Sequence, residues 1–236
     1  MESKSIEGRT MTQVTARTDA PPGETVSLQA SEFGPSEMYV FLRDTVMPRP
    51  IAWVSTMDEQ GVTNLAPFSF FNVVCPYPPV LGFSCGPRGD NHNAASRNPK
   101  DTLMNIRANR EFVVNVVPSR LTEPMVKTSD PLPHGQSEFA HAGLIEVAST
   151  AVRPPRVKGV PVAFECKLYD MLDVGVNVWI MGTIVHIHVD PEAYVGSRGE
   201  LKHRVDVLKR EDARPVGRLD RANYVQIRDI ELHLRK

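Results

Sequence analysis

The stretch RPIAWVSTMDEQGVTNLAPFSFF, residues 49–71, decides the fold. Its first part, residues 51–57, is rich in β-branched and aromatic side chains, and this composition predicts a strand. Residues 58–61, Asp-Glu-Gln-Gly, then supply a turn in which Gly61 can take a positive φ, so the segment is predicted to be a hairpin. In the returning strand Pro67 has no N–H donor, which excludes it from the centre of a sheet.

The second half of the stretch, residues 64–71, leaves its predicted sheet while carrying Asn, Ser and three Phe side chains. Unpaired backbone N–H and C=O groups beside apolar rings provide the contacts that a flat heteroaromatic ligand needs. The segment is therefore a candidate binding edge for such a ligand. The alternative interpretation is a kinked edge strand whose Phe side chains belong to the core.

Further motifs follow this stretch in order along the chain. Together with it they comprise residues 49–56, 64–71, 83–84, 100–103, 105–106 and 111–115. These motifs resemble the flavin reductase-like, FMN-binding split-barrel family in its flavoredoxin-type branch. The resemblance covers residues 39–190 and is weaker at residues 214–219. It implies a mainly β fold, an antiparallel Greek-key split β-barrel with a few short helices.

The composition is that of a globular domain: 236 residues, 41% hydrophobic and 23% charged. A formal net charge of −1 without a basic block argues against nucleic acid or an anionic membrane as partner. No apolar run approaches the roughly 20 residues of a transmembrane helix. Cys75, Cys85 and Cys166 form no CxxC pair, so neither disulfides nor structural zinc are predicted, and a reducing cytoplasm is the expected location.

Three regions are expected along the chain. Residues 6–9, Ile-Glu-Gly-Arg, look like an engineered protease site, so residues 1–10 are expected to be a leader foreign to the natural protein. Residues 11–35 are polar and contain Pro-Pro-Gly, which indicates an N-terminal arm. Residues 36–236 are expected to form the FMN-binding split-barrel domain with a C-terminal extension.

Two helices are predicted near the motifs. One covers residues 36–45 with Ser36 as N-cap, and another begins with Asn98 as N-cap and Pro99 at its first position. Tyr39, Leu42 and Val46 follow one another at helical spacing in and just after the first helix.

Alternating apolar and polar residues predict several strands. In residues 164–168 the alternation places Glu165 and Lys167 on the solvent-facing side. The other strands are predicted at residues 80–84, 111–117, 179–189 and 230–234.

A phosphate site is predicted at the start of the second helix. Helix N-termini present unpaired N–H groups and a partial positive charge, to which Lys100 adds a full charge, Thr102 a hydroxyl and Arg88 a nearby guanidinium. This combination suits a phosphate monoester such as that of FMN. The resemblance implies that Ser84, Lys100, Asp101 and Thr102 lie at the flavin phosphate and ribityl chain. A capped surface helix with solvated basic residues is the alternative.

The resemblance also implies where the flavin ring lies. Ser55 and Thr56 are expected near the flavin, with the backbone that follows Asn64 along the isoalloxazine edge. N–H groups aimed at that edge stabilise the charge of reduced flavin. Trp53 is interpreted as core packing rather than as a stacking partner. The full set of expected cofactor-binding residues is Ser55, Thr56, Asn64, Leu65, Ala66, Pro67, Phe68, Ser69, Ser84, Arg88, Lys100, Asp101 and Thr102.

The sequence shows neither a catalytic side chain nor a complete metal site. His186 and His188 share one strand face and could chelate a metal, but no third ligand is evident, so no metal is predicted. The resemblance implies an FMN-dependent oxidoreductase that reduces flavin or a small acceptor at the expense of NADH or NADPH. The alternatives are a flavoredoxin-like electron-transfer or FMN-binding protein without a nicotinamide site, and an FMN enzyme acting directly on a small organic substrate.

The resemblance implies a homodimer, with a flavin-dependent monooxygenase or another redox protein as the expected partner. Short flavin reductases of this superfamily carry Gly-Asp-His before a late strand, where this chain has Gly175, Val176 and Asn177. Weak use of NADH or NADPH is therefore expected, with Asn177 on the substrate side. Arg218 is expected at the open face of the flavin, where it would hold an anionic substrate or a nicotinamide phosphate. Asp220 stands where relatives usually carry Gly.

Overall fold

The computed structural model describes residues 25–89 and 98–228. The chain divides into two compact units, Met1–Gly34 and Pro35–Lys236. The expected leader, most of the expected arm and the strand predicted at residues 230–234 lie outside the described residues.

The helices and strands of the second unit are short apart from one long hairpin. In chain order they are α1 Pro35–Thr45, β1 Arg49–Pro50, β2 Ala52–Met57, β3 Thr63–Phe68, β4 Phe71–Pro76, β5 Pro79–Cys85, α2 Asp101–Asn109, β6 Glu111–Val116, α3 Thr122–Lys127, α4 Glu138–His141, β7 Glu146–Val147, β8 Arg156–Val157, β9 Val162–Val174, β10 Asn177–Val189, β11 Tyr194–Arg198, β12 Leu201–Val205, β13 Val216–Arg218 and β14 Tyr224–Gln226. The described residues also contain 3-10 turns at Ala30–Glu32, Ser119–Leu121 and Glu211–Ala213.

Seven strands form one antiparallel sheet in the order β3-β2-β6-β9-β10-β5-β4. The sheet curls on itself, because Phe68 near one edge contacts Phe83 near the other with ring centroids 4.9 Å apart. The two edge strands follow each other in the chain but do not pair with each other, so the barrel is split there. The predicted split barrel is confirmed.

The predicted hairpin is confirmed as β2 and β3, with Gly61 at a φ of 89°. Pro67 lies opposite Trp53 in β3, which is an edge strand as its missing N–H requires. The backbone N–H of Leu65 points outward from the sheet to Glu138. Backbone directions alternate along a strand, so the nitrogen of Pro67 also faces outward, where no ladder bond is lost.

Two cores lie on opposite sides of this hairpin. Inside the barrel Val54, Phe83 and Phe112 are completely buried, and the last two rings meet edge to face. On the outer side Trp53 packs with Leu65 under α3 and α4, and its indole N–H donates to the Thr128 hydroxyl at 2.9 Å. Trp53 is therefore a core residue, as interpreted.

Both predicted helix starts are displaced. The first helix begins at Pro35, because proline fits the first helical position, so Ser36 is not its cap. The second begins at Asp101, and Lys100 in extended conformation is its N-cap residue in place of Asn98. No residue of α1 is buried, and Leu42 is 43% exposed.

The expected solvent exposure of Glu165 is also wrong. Its carboxylate is completely buried, where it accepts the backbone N–H groups of Thr150 and Ala151 and contacts His188 Nε2 at 2.5 Å. Burial acts to raise the pKa of Glu165, but these partners together lower it. A loop from outside the sheet thus covers a strand face that local alternation marks as polar.

No helix in residues 25–89 and 98–228 is long and apolar enough to cross a membrane. Over the same residues no group of three or more His, Cys, Asp or Glu side chains is arranged to hold a metal ion.

Candidate functional site

Helix α2 is tied by side-chain amides to the β2–β3 hairpin. Asn64 Nδ2 donates to Thr102 Oγ1 at 3.0 Å, and Asn105 Nδ2 donates to Thr56 Oγ1 at 3.0 Å. All four side chains are buried. The structure therefore brings together three residues that the sequence predicted for the cofactor, namely Thr56, Asn64 and Thr102.

The cations at the start of α2 differ in their partners. Arg88 pairs with Asp101 at 2.5 Å, and His134 Nδ1 lies 2.6 Å from the other oxygen of the same carboxylate. The Lys100 ammonium lies 5.4 Å from the ring centroid of Phe68. Among residues 25–89 and 98–228 no carboxylate lies within ion-pair distance of Lys100. Among the described residues at this helix end, Lys100 is thus a cation without a carboxylate partner.

Ser84 and Asn177 meet across the β5–β10 ladder. Asn177 Nδ2 donates to Ser84 Oγ at 2.9 Å, and a Cβ on Gly86 would lie 3.0 Å from Asn177 Oδ1. Asn177, which was expected on the substrate side, therefore contacts Ser84, which was expected at the ribityl chain. The backbone N–H of Arg88 donates to the carbonyl of Asn98 at 2.8 Å, which closes the chain toward α2.

Ser55 and Leu65 face away from this group. Ser55 is completely buried on the side of β2 opposite Thr56, and its hydroxyl donates to the carbonyl of Pro155. The Leu65 side chain belongs to the outer core, while its backbone N–H donates to Glu138 Oε2 at 2.9 Å. The first half of the β3 edge is thus already covered.

Glu138 is a buried carboxyl that the sequence did not single out. It lies at the start of α4, and burial raises its pKa while the Leu65 N–H acts in the opposite direction. The only local signal is an acidic residue in the first turn of a very short helix, a position that helix dipoles favour generally. Its contact with β3 arises from tertiary packing.

A cavity of about 200 Å³ opens beside the second half of the β3 edge. Arg218 lies in its wall, and so do two residues of the predicted binding edge, Pro67 and Ser69. Phe68, by contrast, points into the barrel, and Ala66 packs against that inner core. The cavity is lined by Tyr39, Arg43, Arg49, Ile51, Pro67, Ser69, Phe70, Met125, Ser129, Arg218 and Tyr224.

Arg49 links several of the segments that surround this cavity. It was not predicted as a site residue. It is 5% exposed, and its guanidinium donates to the carbonyls of Val46 at 2.9 Å and Leu219 at 2.6 Å, with a long contact of 3.4 Å to Ser69 Oγ. Burial, and then the charge of Arg218, lower the pKa of Arg49. The signal available in the sequence was the position of Arg49 between short apolar segments. A charged residue is rarely buried without a partner, so an arginine in such a place indicates a structural or binding role.

Comparison with known proteins identifies relatives of the whole domain. The model of the flavin reductase like domain matches residues 42–202. An uncharacterized protein of Aquifex aeolicus is 40% identical over 189 residues, which are 80% of this chain and 89% of that protein.

Two solved structures share the fold over most of the chain. Nitrilotriacetate monooxygenase component B from Bacillus cereus is 26% identical with a TM-score of 0.77, covering 89% of this chain and 99% of that one. The 2-nitrobenzoate 2-nitroreductase of Pseudomonas fluorescens is 30% identical with a TM-score of 0.74, covering 89% and 96%.

The buried carboxyl of Glu138 predicts a pH-dependent stability. Because folding raises its pKa, its contribution is fully present below the ordinary value of 4.5 and is lost as pH rises through the folded value. Glu138→Gln can keep the acceptor for Leu65 but does not titrate. From pH 4.5 upward, wild type should therefore lose stability relative to this variant, by about 1.4 kcal/mol per unit of pKa shift.

Urea unfolding of both proteins between pH 4 and 8 measures this difference. Glu59→Gln, at the exposed β2–β3 turn, controls for the loss of one carboxylate. A stability difference between wild type and Glu138→Gln that stays constant across this range would contradict the assignment.

Proposed function

This chain belongs to the flavin reductase-like family, and from that premise we propose that it is an FMN-dependent oxidoreductase with its flavin along the free edge of β3. The observation that carries the proposal is the charge of Lys100. Its ammonium lies by Phe68 at the N-terminus of α2, with no carboxylate partner among the described residues. Helix α2 has nine residues, and an N-terminus of such a helix beside a cation without a carboxylate partner suits a phosphate monoester.

The chain's own residues divide the work of binding. Lys100 and the first N–H groups of α2 would hold the phosphate, while Ser84 and Asn177 offer polar atoms for the ribityl chain. Glu138 already accepts the Leu65 N–H, so the part of the edge that can contact the flavin ring runs from Pro67 to Ser69. When bound, the flavin itself supplies the hydride and electron chemistry.

Two routes of electron flow remain within this proposal. Similarity to a monooxygenase component B favours supply of reduced flavin to a separate monooxygenase, with NADH or NADPH as donor. Similarity to a nitroreductase over nearly the whole chain favours direct action on a small organic substrate. Free thiols at Cys75, Cys85 and Cys166 fit a reducing cytoplasm, which stays a prediction.

The phosphate assignment predicts a selective loss of affinity. Lys100→Ala should weaken FMN by about 10- to 150-fold, since a charge-assisted contact contributes roughly 1.5–3 kcal/mol. Riboflavin lacks the phosphate and should bind the variant almost as well as wild type. Quenching of flavin fluorescence measures both affinities, and Lys209→Ala, an exposed lysine in a turn, is the control. Equal losses for the two ligands would exclude Lys100 as the phosphate contact.

The electron donor is tested by anaerobic stopped-flow reduction of the bound flavin. Asn177 can donate and accept hydrogen bonds but carries no charge, and its amide is already engaged by Ser84. We expect slow reduction that does not saturate at low micromolar NADH or NADPH. Fast reduction that saturates at low micromolar NADH or NADPH would contradict this expectation and would indicate a dedicated nicotinamide-dependent flavin reductase.

A homodimer is proposed because apolar side chains on several elements of the single chain are exposed, and two-fold dimers are the commonest oligomers. Val46 is 60% and Val73 65% exposed, and Leu172 and Ile187 on the long hairpin are exposed too. Sedimentation at micromolar concentration should give a species of about twice 26.2 kDa. A single species near 26.2 kDa would remove the proposal.

A further inference from the structure

One carboxylate at the start of α2 contacts two basic side chains from other parts of the chain. Asp101 is the first residue of the helix, and its two oxygens lie 2.5 Å from Arg88 Nη2 and 2.6 Å from His134 Nδ1. The Asp101 side chain is only 12% exposed, whereas that of His134 is 66% exposed. A largely shielded carboxylate thus joins a permanent cation to a histidine, the side chain type that changes its charge near neutral pH.

These contacts fasten the segment of residues 130–136 to the helix. Arg88 Nη1 also donates to the carbonyl of Leu132 at 2.9 Å, two residues before His134. Arg88 is therefore engaged within the fold and is not left for a phosphate. A second histidine–carboxylate pair follows in the same part of the chain, where His141 Nε2 lies 2.8 Å from Asp130 Oδ2, but that pair includes no residue of α2.

Other charged groups surround His134. Lys100 precedes Asp101 in the chain and has no carboxylate partner among the described residues. Asp58, from the β2–β3 turn, lines the same narrow polar cleft as Asp101 and His134. Glu138, at the start of α4, lies close enough to Asp101 to interact with its charge. The charge at this helix end is therefore a sum over several elements of the fold.

The proton of His134 changes that sum at the N-terminus of α2. With a neutral imidazole, Arg88 offsets Asp101, and the helix end acts on an anion together with Lys100 alone. With a protonated imidazole, a second positive charge is added beside the first residue of the helix. The unpaired N–H groups of a helix start already favour an anion, so this added charge strengthens an attraction that exists without it.

We propose that His134 is a positioning residue of the phosphate site and makes FMN binding depend on pH, with protonated His134 strengthening the attraction of the α2 N-terminus for the FMN phosphate. The inference rests on the proposed function, because it adds a means of regulation to the phosphate site of Lys100 and α2. His134 acts through Asp101 and does not itself contact the flavin.

His134→Asn tests the proposal, because an amide nitrogen in place of Nδ1 can donate to Asp101 but does not titrate. Quenching of flavin fluorescence gives the affinities of the full chain for FMN and riboflavin between pH 5.5 and 8. At pH 8 wild type and variant should bind FMN alike, and at pH 5.5 wild type should bind it about 3- to 5-fold more tightly. The FMN phosphate itself takes up a proton near pH 6, so the ratio of the two proteins at each pH isolates the histidine. Riboflavin should show no such difference.

Two further variants provide controls. His134→Lys carries a fixed charge, so at pH 8 it should bind FMN about 3- to 5-fold more tightly than wild type. His141→Asn removes the other paired histidine and should behave as wild type at every pH. High salt should reduce the FMN differences, because ions screen partly exposed charges.

Three outcomes would overturn the inference: a ratio of FMN affinities that stays constant over this pH range, an equal change for riboflavin, or the same pH dependence in His141→Asn. The Lys100→Ala variant separates this inference from the proposed function. If Lys100→Ala loses FMN selectively while the His134 ratio stays constant, only the inference fails. If wild type binds FMN no more tightly than riboflavin at either pH, the phosphate is not held at α2 and both proposals fail.

Discussion

Pro67 has no N–H to donate, and that single missing donor shapes the structure around it. With its nitrogen facing outward, β3 can lie only at the edge of the sheet, and the barrel stays open between β3 and β4. An exposed strand edge must be covered or occupied, because its unpaired N–H and C=O groups can pair with another chain or ligand. Glu138 covers the first half through the Leu65 N–H, and the second half faces the arginine-lined cavity. The candidate site is thus the part of the edge that the chain leaves open.

The electrostatics of the site depend on which cations are neutralised. The formal net charge of the chain is only −1, yet Lys100, Arg49 and Arg218 have no carboxylate at ion-pair distance among the described residues. Asp101 and Asp44 are engaged by other arginines. Positive charge therefore concentrates on both sides of the β3 edge, where anions gain most because burial weakens competition from water. Overall charge says little about such a local field.

Local patterns predicted much of the fold and little of the site. The hairpin, the edge position of Pro67 and the core role of Trp53 followed from turn chemistry, a missing donor and apolar composition. Alternation failed at Glu165, which looks solvent-facing by sequence but is covered by a loop and paired with His188. Glu138 escaped notice because its partner is a backbone N–H in another element.

The amino-acid sequence by itself determined the family and the antiparallel barrel, because these depend on motifs and on periodicities read within a few residues. The tertiary structure alone decided that Arg49 lies opposite Arg218, and that Ser55 faces away from Thr56 and the other predicted site residues. Periodicity states which face a side chain occupies, whereas strand register states which distant residue it meets. Register is set by packing of the whole sheet, so contacts between distant strands cannot be read from either strand alone.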